Sequence, residues 1–265
     1  SDEIMAGYKA LAKTPGKNMG SKGDVDSAFA NAAKTIEAEY EFPYLAHASM
    51  EPLNCVVQLG EGSCEVWNGE QFQAIDAPSI AAVVGIPVEK VKINVLFAGG
   101  SFGRRANPQA DYVIETAAIA KAAKTKAPVK LVWTREEDTR GGYYRPMYYH
   151  TLRAALDTDG NITAWQHRIV GQPVMPGADN MSTEGAADLP YTLPNFAIDL
   201  HSTTVGVPVQ WWRSVGSTHT AYSTECFLDD LARAAGKDPL AIRRELLAEH
   251  PRHLAVLNLA AEKAE

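Results

Sequence analysis

The 265-residue chain is 46% hydrophobic and 22% charged, a composition typical of a globular protein with a sizeable core. Its longest apolar stretches, residues 80–86 and 91–98, are far shorter than the roughly 20 residues that a membrane-spanning helix requires. A net charge of −7 provides no general attraction to nucleic acid or anionic lipid. Composition and charge therefore argue against a membrane span and against binding to nucleic acid.

The N-terminal part contains one proline and several glycines but no sustained apolar period, so residues 1–23 are predicted to be irregular. Asp24 or Asp26 then caps a short helix that extends to about Glu37, because a carboxylate accepts hydrogen bonds from the free amides of a first turn. We interpret residues 1–36 as a tail or linker from a preceding domain.

The next part is predicted to be rich in strands. A strand is expected at residues 39–46, and a hairpin is expected with strands at 64–67 and 71–75 around Asn68-Gly69, a pair that favours positive φ angles. A short helix at residues 78–85 follows, with its proline near the first turn.

A strand, a glycine loop and a helix come next. Residues 91–98 form a β-branched run, Gly99 to Gly103 form the loop, and apolar residues recur at helical spacing from Ala110 to Ala117. Further elements are predicted along the rest of the chain: a strand at 129–134, a hairpin of 148–156 with 162–170, a loop at 171–194, a strand at 197–205, a second loop at 207–216, a helix that Ser217 caps and Gly236 ends, and a helix that begins at Pro239. The fold class is α+β, with mixed sheets and flanking helices.

The glycine loop is the sharpest local feature, with the sequence Gly99-Gly100-Ser101-Phe102-Gly103-Arg104-Arg105. Glycines let backbone amides approach a ligand, and successive amides attract anions, to which the arginines can add charge. The alternative is a tight turn whose arginines face solvent.

The same residues match G-x-S-x-G, the nucleophile elbow of α/β-hydrolases, in the order strand, turn, helix. Ser101 would be the nucleophile of a serine hydrolase, and Asp188 and His219 are candidates for its acid and base. A third class, a non-catalytic segment that only folds and pairs with a partner, also stays open.

Several segments in order resemble the molybdenum-cofactor-binding large subunit of molybdenum hydroxylases, the xanthine dehydrogenase and aldehyde oxidase family, and most closely its isoquinoline 1-oxidoreductase and aldehyde dehydrogenase branch. The matching segments, which extend the resemblance over residues 10–265, are HASMEP from His47, GGSFGRR from Gly99, WTREED from Trp133, WRSVG from Trp212, and the helix from Glu225 to Pro239.

The resemblance implies a molybdopterin cofactor, commonly in its cytosine dinucleotide form, bound by a first molybdopterin-binding domain of two α+β subdomains at residues 37–265. It places at the cofactor the residues Gly99, Gly100, Ser101, Phe102, Gly103, Arg104, Arg213 and Gly216. It places at the substrate pocket Phe102, His47, Met50 and Glu51. Molybdenum would be held only through the pterin.

The resemblance also implies a reaction and partners. N-heterocycles would be hydroxylated, or aldehydes oxidised, with oxygen derived from water, and electrons would leave through a small iron–sulfur subunit. The three cysteines, Cys55, Cys64 and Cys226, are too few for a four-thiolate cluster of this chain's own. The other implied partners are the remainder of the large subunit and a small aromatic or aldehyde substrate.

Three departures from the family pattern bear on activity. Leu45 stands where some relatives have a glutamine that donates a hydrogen bond near the metal, and Ala106 stands where purine-oxidising relatives have a glutamate. The G-x-G-E motif that carries the catalytic glutamate, and the later glutamine–glycine cofactor loop, do not occur in this sequence. We therefore expect a non-purine substrate and no turnover by the isolated chain.

Some residues have plain structural interpretations beside the functional ones. His47 is either a substrate contact or a hydrogen-bonded structural histidine, and Glu51 is either an acid near the pocket or a salt-bridged carboxylate. Trp211 and Trp212 either line the entrance or pack in a core. Because no signal segment follows Ser1 and no helix stop closes the end, we expect a piece of a longer polypeptide. Many relatives are exported, so we expect the periplasm, with the cytoplasm as the alternative.

Overall fold

A computed structural model describes residues 1–264. Its helices and strands are, in chain order, α1 (Asp2–Leu11), β1 (Lys17–Lys22), α2 (Val25–Ala30), β2 (Lys34–Phe42), β3 (Leu45–Ala46), β4 (Asn54–Gly60), β5 (Ser63–Asn68), α3 (Gln73–Val84), a 3-10 helix (Val88–Lys90), β6 (Val91–Val95), α4 (Asp111–Ala123), β7 (Val129–Val132), α5 (Arg135–Arg140), β8 (Tyr144–Arg145), β9 (Tyr148–Leu156), β10 (Ile162–Gly171), α6 (Asp179–Thr183), β11 (Phe196–Ser202), α7 (Ser217–Ala235), α8 (Pro239–Leu246) and α9 (Pro251–Ala264). They belong to two units. Unit 1 comprises residues 1–43, 146–206 and 214 onwards, and unit 2 comprises residues 44–145 and 207–213.

Unit 1 is built on a five-stranded mixed sheet in the order β1-β11-β10-β9-β2. The β9–β10 pair is the predicted antiparallel hairpin, and β11 adds to β10 in parallel. Helix α7 packs on β2 and β9, and it presents Phe227, Leu228 and Leu231 to the core because these positions lie on one helical face. Asp238 caps α8 by accepting hydrogen bonds from the first-turn amides of Leu240 and Ala241.

Unit 2 is built on a four-stranded mixed sheet in the order β6-β5-β4-β7. Strands β5 and β6 are parallel, so the chain must cross over between them, and α3 is that crossover. Helices α3 and α4 pack on the sheet, whose buried face includes Cys55, Val57, Cys64 and Val66. The glycine loop leaves the carboxyl end of β6 and leads into α4, as predicted.

The N-terminal residues are more regular than the sequence indicates. The prediction of an irregular segment at residues 1–23 was wrong, because α1 and β1 occupy most of it and β1 pairs with β11. Asp24 does cap α2 by accepting from the Ser27 amide at 2.9 Å, but the helix ends at Ala30, and residues 34–42 extend the sheet as β2. In the structure, residues 1–36 are part of unit 1. Their interpretation as a tail or linker from a preceding domain stays a prediction.

The predicted hairpin around Asn68-Gly69 was also wrong. Strand β5 pairs instead with β4, through the turn at Glu61-Gly62, and residues 73–84 are helical. The proline at residue 78 consequently lies inside α3 rather than in its first turn. No helix within residues 1–264 is both long enough and apolar enough to cross a membrane.

Candidate functional site

The glycine loop has a backbone that ordinary residues rarely adopt. The φ angles of Gly100, Phe102 and Gly103 are +111°, +55° and +107°. A Cβ atom added at Gly103 would overlap the carbonyl oxygen of Trp211, and one at Gly100 would lie 3.0 Å from the Cβ of Ser49. Glycine is therefore required at both positions, for conformation and for close backbone contact.

Four successive amides of this loop have no acceptor in the protein. The backbone N–H groups of Gly100, Ser101, Phe102 and Gly103 donate to no atom within residues 1–264, although the Gly99 N–H is taken by a carboxylate oxygen of Glu51 at 2.6 Å. Successive backbone amides in a loop of alternating handedness form a concavity that binds anions. The loop therefore offers a donor set suited to the oxygen atoms of an anionic ligand.

Glu51 holds one side of the loop. Besides the Gly99 amide, it accepts from Asn54 at 2.8 Å and from Arg105 at 2.9 Å, while its own N–H donates to the Gly99 carbonyl oxygen. Burial raises the pKa of Glu51, but the hydrogen bonds from Gly99 and Asn54 and the charge of Arg105 outweigh it and leave the pKa below its usual value. The salt-bridged interpretation of Glu51 is confirmed.

Both arginines of the loop are buried, so the solvent-facing alternative was wrong. Arg105, 1% exposed, joins Glu51 to the carbonyl oxygens of Gly69 and Gly100. Arg104 is 3% exposed and forms an ion pair with Asp111 in the first turn of α4. Their guanidinium groups brace the loop from within unit 2.

The second loop closes on the first through Gln210 and Arg213. The Gln210 side-chain amide donates to the carbonyl oxygens of Gly103 and Arg104, at 3.1 and 2.9 Å. The backbone N–H of Arg213 donates to the Phe102 carbonyl oxygen at 2.7 Å. These bonds fix residues 210–213 against the glycine loop. The contact of Arg213 with a cofactor stays a prediction.

Four side chains beside the loop form a stacked column. His47 stacks on Trp212 with ring centroids 4.7 Å apart, Trp212 stacks on Phe102 at 6.3 Å, and the Arg213 guanidinium lies 5.4 Å from the Phe102 ring centroid. His47 also donates from Nε2 to the Trp211 carbonyl oxygen at 2.8 Å, and burial lowers its pKa. His47 is thus a buried, hydrogen-bonded histidine that is neutral at pH 7.

A third segment, residues 68–72, supports the loop and was missed by the sequence interpretation. The Ser101 hydroxyl donates to Gln71 at 2.6 Å, Gly69 accepts from Arg105, and the Leu96 N–H donates to the Asn68 carbonyl oxygen at 2.8 Å. We call residues 68–72 the floor of the loop. No local sequence signal identifies it, because its role depends on residues some 30 positions later.

The remaining predicted residues are placed differently. Met50 is 90% exposed. Gly216 belongs to unit 1, where its N–H donates to Glu184 and where a Cβ would overlap the Met181 carbonyl oxygen. Within residues 1–264, no group of three histidine, cysteine or carboxylate side chains could hold a metal ion.

The surroundings of Ser101 do not resemble those of a hydrolase nucleophile. Its hydroxyl donates to Gln71 and accepts from the Arg105 amide, and α4 begins only at Asp111, whereas a nucleophile elbow leads directly into its helix. In unit 1, Asp188 accepts from the Gly185 amide, and the Nδ1 of His219 lies 3.0 Å from the Nε2 of His150.

Comparisons with known proteins agree with the resemblance. The family model described as the molybdopterin cofactor-binding domain matches residues 11–247. The chain is 32% identical over 245 residues to the membrane-bound aldehyde dehydrogenase (pyrroloquinoline-quinone) of Gluconacetobacter polyoxogenes, a match that covers 86% of this chain and 31% of that protein. It is 29% identical over 260 residues to the isoquinoline 1-oxidoreductase subunit beta of Brevundimonas diminuta, covering 93% of this chain and 33% of that protein.

The fold is similar to that of a solved structure of aldehyde oxidoreductase from Desulfovibrio gigas, with a TM-score of 0.71 and 22% identity over 87% of this chain and 26% of that one. The chain spans about a third of the length of the curated relatives described above. The α+β prediction is confirmed, and because the family model covers most of the sequence, the chain belongs to the family of molybdopterin cofactor-binding domains.

Proposed function

We propose that this chain is a segment of the molybdopterin-binding subunit of an oxidoreductase that hydroxylates N-heterocycles or oxidises aldehydes with oxygen derived from water. The observation that carries the proposal is the run of four amides without acceptors, from Gly100 to Gly103, in a braced loop of a molybdopterin cofactor-binding domain. The names of the relatives support the reaction class. The isolated chain has no turnover, because the family's catalytic glutamate motif is not in its sequence.

The residues present fit a pterin cofactor. The amides of Gly100 to Gly103 would donate to its anionic oxygen atoms. The glycines at 100 and 103 permit the loop backbone that presents these amides, because a Cβ at either position would contact neighbouring residues closely. Arg104 would contribute by fixing the loop through Asp111, and Gly99 and Arg213 are the other members of the predicted set in unit 2. Gly216 lies in unit 1, and its role at the cofactor stays a prediction. The bound cofactor supplies the molybdenum centre for two-electron oxidation of carbon.

On the substrate side, Phe102 provides an apolar ring backed by Trp212 and Arg213, against which a flat heterocycle or aldehyde can pack. His47 and Glu51 act on the pocket indirectly. The first supports Trp212 from behind, and the second holds Gly99. Neither is a general base in this proposal. His47 is buried, and the Glu51 carboxylate already accepts hydrogen bonds from Gly99, Asn54 and Arg105.

The finer points are part of the same proposal. The cofactor is the cytosine dinucleotide form, electrons leave through clusters on a small iron–sulfur subunit, and the mature complex lies in the periplasm, with the cytoplasm as the alternative. Burial raises the pKa of Cys55 to about 12 and that of Cys64 to about 11, which fits thiols that bind no cluster.

The test is cofactor loading of the large subunit that contains this chain, comparing wild type with Gly100→Val. Molybdenum is measured by elemental analysis, and the pterin and its nucleotide are identified after release from the protein. Gly62→Val is the matched control, because Gly62 also has a positive φ of +69° but nothing lies within 4 Å of an added Cβ. Circular dichroism verifies that all three proteins are folded.

We expect stoichiometric molybdenum and pterin in wild type and Gly62→Val, and at least a tenfold loss in Gly100→Val. Equal molybdenum and pterin contents in the two variants would show that the glycine loop is not part of the cofactor site. A folded wild type without molybdenum or pterin, under conditions that load a relative, would overturn the proposed function.

A further inference from the structure

The floor of the loop is held together by one of its own side chains. The Glu70 carboxylate accepts hydrogen bonds from the backbone N–H groups of Gln71 and Phe72, both at 3.1 Å. It also accepts from the side-chain amide of Asn68 at 2.9 Å. Gln71 in turn accepts from the Ser101 hydroxyl at 2.6 Å. Glu70 therefore shapes the segment on which the glycine loop rests and acts on the loop through its neighbour.

Behind Glu70 lies a second carboxyl group, that of Asp76 in the first turn of α3. Asp76 is 1% exposed, and in its protonated form it hydrogen-bonds to the Glu70 carboxylate. The proton is essential to this contact, because two ionised carboxylates are both acceptors. The two arginines of the glycine loop do not neutralise the pair, since they form ion pairs with Asp111 and Glu51 instead.

The elements packed against α3 bring no positive charge to the pair. Besides Glu70, three ionisable groups interact with Asp76: Asp111 and Tyr112 of α4, and Cys55 of β4. Lys121 of α4 donates to the Val83 carbonyl oxygen, near the opposite end of α3. The charged residues of β6 and the 3-10 helix, which also contact α3, are exposed to solvent: Lys92, Glu89 and Lys90. An ionised Asp76 would therefore have no cation to pair with within residues 1–264.

We infer that Glu70 is a positioning residue for the cofactor, and that the proton it shares with Asp76 holds the floor in place under the glycine loop. This inference rests on the proposed function. If Asp76 releases the proton to solvent, two carboxylates in contact repel each other. Because Glu70 is tied to the amides of Gln71 and Phe72, the repulsion displaces the floor. The loop then loses the support that holds its free amides ready for a ligand.

The pH at which this happens separates positioning from a general effect on folding. Burial raises the pKa of Asp76 to about 9. Above that pH, Asp76 is ionised in the folded and in the unfolded chain, so its ionisation no longer changes the free energy of unfolding. A change at the site with its midpoint near the native pKa therefore reports ionisation within the folded protein.

The first measurement needs no cofactor. Tryptophan fluorescence of the 265-residue chain is recorded from pH 7 to 10, because Trp211 lies edge-on to Phe72 of the floor, with ring centroids 6.1 Å apart. The variant is Asp76→Asn, whose amide can still donate to Glu70 but cannot ionise. Glu61→Gln is the matched control, because it removes an exposed carboxylate from the β4–β5 turn of the same unit.

We expect a fluorescence transition centred near pH 9 in wild type and in Glu61→Gln, and none in Asp76→Asn. Ionisation of exposed tyrosines contributes equally to all three proteins, so it cancels in the comparison. A wild type without a transition would overturn the inference, as would a curve for Asp76→Asn that follows that of wild type.

The second measurement is the retention of molybdenum and pterin by the large subunit that contains this chain, after gel filtration at pH 7.5 and at pH 10. At pH 10, wild type and Glu61→Gln should retain at least fivefold less cofactor than Asp76→Asn. Glu70→Ala removes the acceptor of three hydrogen bonds and should lower loading at least tenfold at pH 7.5. Circular dichroism verifies folding, and if Glu70→Ala does not fold, the comparison with Asp76→Asn decides. Equal retention by wild type and Asp76→Asn at pH 10 would refute the link to the cofactor.

The two measurements also separate this inference from the proposed function. The fluorescence transition would persist if the domain bound no molybdopterin, in which case the proposed function would fail while the coupling of Asp76 to the floor stood. Normal loading of wild type without any transition would refute only the role of Glu70 and Asp76.

Discussion

Replacing Asp76 with asparagine converts one buried carboxyl group of α3 into an amide of the same shape. Asp76 is 1% exposed, and no donor group hydrogen-bonds to either of its carboxyl oxygens, so only its protonated form can pair with the neighbouring Glu70 carboxylate. Burial raises the pKa of Asp76 to about 9, and the carboxylates of Glu70 and Asp111 add to the rise. Asp76 is therefore protonated in the native protein at pH 7, whereas in the unfolded chain it is ionised.

The sign of the effect follows from proton binding. Between the unfolded pKa near 4 and the native value, the native state holds one more proton than the unfolded state, so stability falls as pH rises through this window. At about 1.4 kcal/mol per pH unit, wild type has lost up to about 4 kcal/mol at pH 7 relative to pH 4. Asp76→Asn removes this pH-dependent loss of stability, because an amide does not ionise. The buried amide gains no better set of hydrogen bonds than the carboxyl group had, which offsets part of the gain. We expect the variant to be more stable by about 2–3 kcal/mol at pH 7.

The assay is urea unfolding followed by tryptophan fluorescence from pH 5 to 8. Four of the five tryptophans, at positions 67, 133, 211 and 212, lie in unit 2, so the signal reports mainly on the unit that contains Asp76. Glu61→Gln, in the exposed β4–β5 turn, removes a carboxylate from the same unit without burial. The advantage of Asp76→Asn should grow with pH, and parallel curves for the variant and wild type would refute the reasoning.

Other changes have effects of defined sign. Gly103→Ala forces a Cβ against the Trp211 carbonyl oxygen in a strained backbone, and it should cost about 2–4 kcal/mol in urea unfolding; a cost below 0.5 kcal/mol would contradict the close approach. Glu51→Gln weakens the pairing of the buried Arg105 and should cost about 1–3 kcal/mol at pH 7. Because the native pKa of Glu51 is lowered, the stability that its ionised form provides is present above the unfolded pKa and is lost as pH falls through the native pKa. The free energies of unfolding of wild type and Glu51→Gln should therefore converge in acid, and a constant difference at low pH would disprove this prediction. Burial lowers the pKa of His167 to about 3, so the unfolded state binds an extra proton between pH 6.5 and 3 and stability falls in acid. His167→Phe should reduce that fall by about 1.4 kcal/mol per pH unit below pH 6, as measured by chemical denaturation at each pH.

The parts of the fold that could be predicted are those with a strong local pattern. Helix α7 has apolar residues at helical spacing and a glycine at its end, and the β9–β10 hairpin has two long runs of aromatic, β-branched and other apolar residues around an Asp-Gly turn. The N-terminal strand β1 has no such pattern. It carries lysines at both ends and buries none of its residues, and it is a strand because β11 offers it an open edge. Propensity gives no information on a partner that lies 180 residues away.

The same distinction applies to the site. The glycine loop was predictable because closely spaced glycines between a strand and a helix indicate, from neighbouring residues alone, a loop whose amides can approach a ligand. The burial of Arg104 and Arg105 was not, since it depends on Asp111, Glu51 and the Gly69 carbonyl oxygen meeting them. The Asn68-Gly69 pair was misinterpreted for a related reason. A Cβ at Gly69 would lie 2.6 Å from the Cβ of Ala98, so this glycine serves a close approach to the loop and not a hairpin turn.

Hydrogen bonds from the surrounding segments explain how the loop can present free amides. A backbone N–H without an acceptor costs free energy, and four in succession would ordinarily drive a loop to rearrange. Here Glu51 and Gln71 hold the loop through Gly99 and Ser101, while Gln210 holds its carbonyl oxygens from the other side. The surrounding segments thus maintain an arrangement that the loop alone would not keep. A site organised in advance pays little reorganisation when its ligand binds, which is the physical reason to expect tight cofactor binding from a loop without a single outward-facing arginine of its own.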